Sequence, residues 1–196
     1  MRAIEIQRNG YVICKAGAPC ATLLTVGLTA NIEDTTVGLS VSGMADSESV
    51  GDLHLWWMDH FEINDGDELE FALVETEDVT SPNKAEASDS PEFLDRQAEF
   101  EKELVKNPPM PRVMSRSHSG VTFKIIKDKE QINAQLEEPR EFLSMLLTWN
   151  NFGEERGRIS VSSFSQIEAF NKMGKKTWMS GGFKLNEKLT VQVQLA

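Results

Sequence analysis

Two histidines and two aspartates lie close together in the stretch DLHLWWMDHF, residues 52–61. His54 and His60, with Asp52 and Asp59 beside them, are residue types that bind a metal ion or act as a general base. The surrounding residues alternate as in a β-strand, however, and two positions six apart on a strand are separated by about 20 Å. The two histidines are therefore too far apart to bind one ion together. We expect neither a metal site nor a catalytic residue here.

A second acidic group follows directly in the sequence INDGDELE, residues 63–70. Asp65, Asp67 and Glu68 are similar to the start of a calcium-binding loop, but the glycine comes immediately after Asp65 and the twelve-residue ligand pattern does not follow. The Asp-Gly pair is typical of a turn between strands. The sequence also contains no phosphate-binding glycine loop and no catalytic Cys-His arrangement, so we predict no cofactor.

A weak internal repeat runs through the chain. Residues 3–19 align with residues 122–139, and Trp57 aligns with Trp178, with further matches in the same order between them. A collinear repeat of this kind predicts that the chain contains two similar structural units. The predicted organisation is a first β-module at residues 1–80, a linker at 81–117 with a helix at about 91–106, and a second β-module at 118–196.

The two modules are rich in short alternating stretches that end at turn residues. In DELEFALVE, for example, Leu69, Phe71 and Leu73 share one face while polar residues occupy the other. Strands with one apolar and one polar face are typical of antiparallel sheets. The predicted fold is therefore mainly β, with two tandem antiparallel, sandwich-like modules produced by internal duplication and joined by a segment with one amphipathic helix.

The helix is predicted from the sequence SPEFLDRQAEFEKELVKNPP, residues 90–109. Ser90 is a suitable N-cap, Pro91 suits the first helical position, and the Pro-Pro pair ends the helix. Apolar residues occupy one side of the helix, and we expect this side to be buried against a sheet. The apolar residues are Phe93, Leu94, Ala98, Phe100, Leu104 and Val105.

Charge is distributed unevenly along the 196 residues, whose formal net charge is −11. Residues 1–80 contain 15 Asp or Glu and 3 Lys or Arg, whereas residues 118–196 contain 9 and 11. Nucleic-acid binding requires clustered Lys and Arg, so we expect no nucleic-acid partner. An acidic surface at residues 46–78 is predicted to bind a basic protein instead, because opposite charges accelerate association.

The tryptophans differ in their predicted roles. Trp56 and Trp57 point to opposite faces of an extended strand, and Trp57 is expected in the core because Trp178 is its counterpart in the repeat. Trp56 and Trp149 are expected on the solvent face or at the junction of the modules, where aromatic side chains anchor ligands. The candidate binding residues are therefore Trp56, Trp149, Glu62, Asp65, Asp67, Glu68 and Glu70.

These features favour a non-enzymatic, soluble interaction protein, and an inhibitor or immunity-type protein acting on a basic toxin or nuclease is one specific form. One alternative is a β-sandwich that binds carbohydrate or another small ligand, and a second is an enzyme whose site is not readable from sequence. No apolar run approaches the roughly 20 residues that span a bilayer and no export signal precedes the first strand, so we expect a cytoplasmic location without membrane contact. The sequence leaves open the oligomeric state and whether the modules form one sandwich.

Overall fold

A computed structural model describes residues 1–31, 36–47, 51–107, 120–137, 139–152, 156–171 and 174–195. Within these ranges the protein is mostly β, with two antiparallel sheets and a helix between the two halves of the chain, which confirms the predicted fold class. No helix in this part of the chain is long and apolar enough to cross a membrane. Glu48 of the predicted acidic surface and residues 108–117 of the predicted linker lie outside the described residues.

Each half of the chain contributes six strands. Those of the first half are β1 (Arg2–Arg8), β2 (Tyr11–Ala16), β3 (Ala21–Asn31), β4 (Thr36–Ser47), β5 (Gly51–Ile63) and β6 (Glu68–Glu75). The middle segment contains β7 (Lys84–Ala87) and α1 (Pro91–Lys106). The second half contains β8 (Val121–Lys127), β9 (Glu130–Gln135), β10 (Phe142–Asn150), β11 (Arg156–Phe164), α2 (Gln166–Asn171), β12 (Lys176–Phe183) and β13 (Lys188–Leu195).

Both sheets combine strands from the two halves. The six-stranded sheet has the order β2-β1-β6-β13-β8-β9, and the seven-stranded sheet has the order β12-β11-β10-β3-β4-β5-β7. In chain order, strands β1 to β6 of the first half correspond to strands β8 to β13 of the second half. If every strand is exchanged for its counterpart, both strand orders, apart from β7, are simply reversed. The halves meet where β6 pairs with β13 and where β3 pairs with β10. They therefore form one continuous sandwich.

One hydrophobic core lies between the sheets. Its largest fully buried side chains include Phe71 and Phe123 from the six-stranded sheet and Leu24 and Leu39 from the seven-stranded sheet. Alternate residues of a strand point to the same face, and in β10 and β13, for example, the buried apolar side chains occupy every second position. Trp57 is 2% exposed, and its predicted place in the core is confirmed.

The same turn precedes the last strand of each half. In the first half the Asn64 N–H donates to the Asp67 carboxylate at 2.8 Å, and in the second the Lys184 N–H donates to the Glu187 carboxylate at 2.8 Å. Equivalent positions in this part of the chain are therefore 120 residues apart. The predicted duplication remains a hypothesis about descent, but the two halves share this contact as well as their strand order.

The position of α1 differs from the prediction that its apolar side is buried. Ser90 caps the helix by accepting the Phe93 N–H at 3.2 Å, as expected, yet none of the helical residues is buried. Leu94 is 49% exposed, Phe100 63% and Val105 83%. The buried apolar side chains of each sheet pack against the other sheet, and none of the described core residues belongs to α1.

Candidate functional site

Asp67, one of the predicted acidic binding residues, is part of the fold. Its side chain is almost fully buried, pairs with the Arg8 guanidinium and accepts hydrogen bonds from the Asn9 side chain and the Asn64 N–H. Burial alone would raise the pKa of Asp67, but the hydrogen bonds from Arg8, Asn64 and Asn9 outweigh it and hold the pKa below its ordinary value. The charge of Asp67 is therefore committed to an internal ion pair.

Three further predicted residues also have partners within the chain. The contacts are Glu70 with Lys188 Nζ at 2.7 Å, Glu68 with Gln192 Nε2 at 2.8 Å, and Asp65 with the Leu195 N–H at 2.8 Å. All three contacts join the first half of the chain to β13. These carboxylates contribute to the junction of the halves, although Glu68 and Asp65 remain exposed.

A different set of carboxylates is exposed and unpaired. Among the residues that the structure describes, Asp46, Asp52, Asp59 and Glu62 form no ion pair. Asp46 and Asp52 lie directly opposite each other on β4 and β5, where like charges repel. Within the described ranges the acids of α1 are likewise exposed and form no ion pair, and they are Glu92, Asp95, Glu99, Glu101 and Glu103.

Trp56 lies beside the first turn of α1. The His54 ring stacks on Trp56, with 5.8 Å between centroids, and on Phe93 of the helix, with 4.5 Å. Lys84 Nζ is 5.0 Å from the Trp56 ring centroid, a distance at which a cation is attracted to the ring face. The predicted binding tryptophan is thus partly covered by its neighbours, and the His54 ring is engaged in stacking.

A short ion-pair network also attaches α1 to the sheet. Arg96 of the helix and Lys84 of β7 both contact the Glu86 carboxylate. The hydrogen bond from Arg96, followed by that from Lys84, holds the pKa of Glu86 below its ordinary value. Ring stacking and this network fix the N-terminal part of the helix.

His60, the second histidine of residues 52–61, contacts a different part of the sheet. The His60 ring covers Gly38 so closely that a Cβ on this glycine would collide with the imidazole. A register shift between β4 and β5 near Leu39 and a positive φ of 52° at His60 interrupt the regular strand here. Within the described parts of the chain, no group of three His, Cys, Asp or Glu side chains is arranged to hold a metal ion.

Trp149 faces the core and is 5% exposed. It lies on β10 opposite Leu24 of β3, at the junction of the two halves. Its ring forms part of the floor of a cleft of about 660 Å³. The location at the junction agrees with one of the two predicted locations, and the role in ligand binding remains a prediction.

Four basic side chains around this cleft were missed by sequence reasoning. They are Arg2, Arg156, Arg158 and Lys184. Arg2 is far from the other three in sequence, and no motif relates them. The one local signal is the sequence RGR of residues 156–158, because alternate positions of a strand place both arginines on the same side.

Comparison of the chain with protein families, with characterised proteins and with solved structures found no match. Its function therefore has to be inferred from the arrangement of its own residues. The two surface features that bear on this inference are the exposed apolar side of α1 with its unpaired carboxylates, and the basic cleft.

Proposed function

We propose that the protein is a non-enzymatic binding protein that recognises a basic protein through α1 and the acidic residues around it. The observation that carries this proposal is the exposed apolar side of α1, formed by Leu94, Phe100 and Val105. An isolated helix of 16 residues is marginal in water, and most helices gain stability by packing their apolar side. A partner with an apolar groove would supply that packing.

The attachment of α1 favours such a role. Phe93 stacks on His54, and Arg96 pairs with Glu86, so the first turns of the helix are held against the sheet. A binding element that is already folded and oriented loses less conformational entropy when its partner binds. The remaining turns project their apolar side chains into solvent.

The charges around α1 indicate the chemistry of the partner. The helix contains five acidic and three basic residues, and the unpaired Asp52 and Asp59 lie on the neighbouring strand β5. These charges complement a groove with a basic rim and disfavour an acidic partner. An inhibitor or immunity-type protein directed against a basic toxin or nuclease is one form of this proposal. We also propose a cytoplasmic location, supported by the free thiols of Cys14 and Cys20.

The apolar side of α1 can be tested with a double substitution, Phe100→Gln with Val105→Gln. Both side chains are exposed, so we expect the fold to be retained, whereas the affinity for the partner should fall by about tenfold or more because the apolar anchors are lost. The partner would be captured from cell extract on the parent protein, identified by mass spectrometry, purified and titrated by calorimetry. The identified partner should be a basic protein.

The matched control is Glu99→Gln with Lys102→Gln, on the opposite side of the same helix. This variant keeps the net charge, and its affinity should stay within about twofold of the parent. Equal binding of the partner by both double variants, or an acidic partner, would contradict the proposal.

The acidic residues give a separate prediction. The variant Asp52→Asn, Asp59→Asn, Glu62→Gln should associate with the purified partner about tenfold more slowly at low salt, because electrostatic steering is reduced. The difference should shrink as salt is raised, since the screening length falls to about 8 Å at physiological ionic strength. Stopped-flow association rates would measure both effects. Glu68→Gln with Glu70→Gln is the comparison variant, because these two carboxylates already have partners; an equal slowing would place the binding surface elsewhere.

A further inference from the structure

The cleft beneath the ends of β10, β11 and β12 is basic in a protein that is acidic overall. The charged side chains around it are Arg2, Arg156, Arg158 and Lys184, and no carboxylate of the described residues lines it. Arg2 forms an ion pair with Glu75 at 2.8 Å. Within the described residues, neither the Arg158 guanidinium nor the Lys184 ammonium forms an ion pair.

Glycines keep the space around these cations open. Gly182 of β12 lies directly opposite Arg158 of β11, so no side chain of β12 stands beside the guanidinium. A Cβ on Gly181 or Gly182 would meet no other atom within 4 Å. Between the two arginines of β11, a Cβ on Gly157 would collide with a backbone carbonyl of β12, so only glycine allows the strands to approach here.

The floor of the cleft is apolar. Trp149, Leu73 and Phe183 are nearly buried, and Leu185 at the rim is 37% exposed. A volume of about 660 Å³ lies within the range of small-molecule sites, which combine apolar walls with a few polar groups. An inorganic ion alone would leave most of this space unfilled.

The shared turn structure of the two halves does not require these cations. Positions 120 residues earlier carry Gly38 in place of Arg158 and Asn64 in place of Lys184. In the first half the cross-strand pair is Gly38 with Glu62, so the charge at the equivalent strand end is negative. Arg158 and Lys184 therefore have no basic counterparts in the first half. Within the described residues no ion pair compensates the charges of Arg158 and Lys184, and an oxyanion bound between them would supply that compensation.

We propose that this cleft binds a small organic anion, with an oxyanion group held by Arg158 and Lys184 and an apolar or aromatic body packed over Trp149 and Leu185. A guanidinium presents parallel N–H donors that match the geometry of phosphate, sulfonate and carboxylate groups. This site lies in a different part of the molecule from α1, so it does not depend on the proposed recognition of a basic protein.

Anilinonaphthalene sulfonate is a suitable probe because it combines a sulfonate with aromatic rings and fluoresces more strongly in apolar surroundings. Phenylnaphthylamine has nearly the same aromatic body without the charge. We expect the sulfonate probe to bind the folded protein at least tenfold more tightly than the uncharged one, and pyrophosphate to displace it. Equal affinities for the two probes, or no binding by the folded protein, would overturn the proposal.

The variant Arg158→Gln with Lys184→Gln locates the binding. Both side chains are exposed and form no ion pair with the part of the chain that the structure describes, so the thermal unfolding midpoint should be retained while the affinity for the sulfonate probe falls about tenfold. The control, Lys102→Gln with Lys106→Gln on α1, makes the same change in net charge away from the cleft and should bind as the parent does. Phe100→Gln should also keep the affinity of the parent. Equal losses in the cleft variant and the charge control, or a loss only in Phe100→Gln, would place the probe outside the cleft.

Discussion

Phe71→Ala is expected to lower the free energy of unfolding by about 3–5 kcal/mol, the usual cost of removing a buried phenylalanine side chain. Phe71 is fully buried on β6, which pairs with β1 of its own half and with β13 of the other half. The substitution removes apolar contacts and leaves a cavity at the junction of the two halves. Denaturant unfolding, followed by circular dichroism and by tryptophan fluorescence, would measure the loss.

Leu146→Ala is the matched control, because Leu146 lies in the other sheet with its side chain 44% exposed. We expect this substitution to cost less than about 1 kcal/mol. Since each sheet joins strands of both halves and one core lies between the sheets, the two probes should report one cooperative transition in every variant. Two separate transitions, with only one of them affected by Phe71→Ala, would show that the halves fold independently.

Asp67→Asn should lower the free energy of unfolding by about 2–3 kcal/mol at neutral pH, because it leaves the partly buried Arg8 without its counter-charge. The hydrogen bonds to Asp67 hold its pKa in the folded protein below the value of about 3.9 for an unperturbed Asp. Its stabilising contribution is therefore complete above that ordinary value and is lost as the pH falls through the lower pKa of the folded state. The Asn variant should lack this part of the acid sensitivity, as unfolding at a series of pH values would show.

Two further substitutions provide comparisons for the stability effect of Asp67→Asn. Glu187→Gln changes the equivalent turn of the second half, where Lys127 pairs with Glu187 at 3.2 Å, and should also be destabilising. Glu75→Gln removes an ion pair whose carboxylate is 67% exposed, and such pairs contribute at most about 1 kcal/mol. If Asp67→Asn costs no more than Glu75→Gln, the Arg8 contact is only a surface ion pair.

Local features of the sequence were sufficient to predict most of the elements. Alternation with period two identified β6, and the Ser90 cap with its following proline identified the start of α1. These signals depend on the backbone geometry of a few neighbouring residues, which differs little between proteins. The burial of Trp57 could also be predicted, because its position recurs in the repeat as Trp178.

The candidate sites were much less accessible to sequence reasoning. Glu62 and Asp67 are acids in the same short stretch, yet Glu62 is exposed and Asp67 is buried. The partner of Asp67 is Arg8, the last residue of β1, which is distant in sequence. The apolar pattern of α1 predicted a buried helix, because the pattern is the same whether the opposing surface lies in this chain or in a partner. Residue type and spacing alone do not show whether an acid is buried, or whether a helix packs within its own chain or on a partner.

The sequence by itself determined that the chain is mainly β, where α1 begins and which side of α1 and of strands such as β6 is apolar. Only the tertiary structure decided that β3 pairs with β10 and β6 with β13, that α1 remains exposed, and that Arg2 meets Arg158 and Lys184 around one cleft. The physical reason is that the hydrogen-bonding groups of the backbone are nearly the same at every residue, so a strand edge does not specify its partner. The pairing follows from covering all apolar faces at once, which depends on the whole chain.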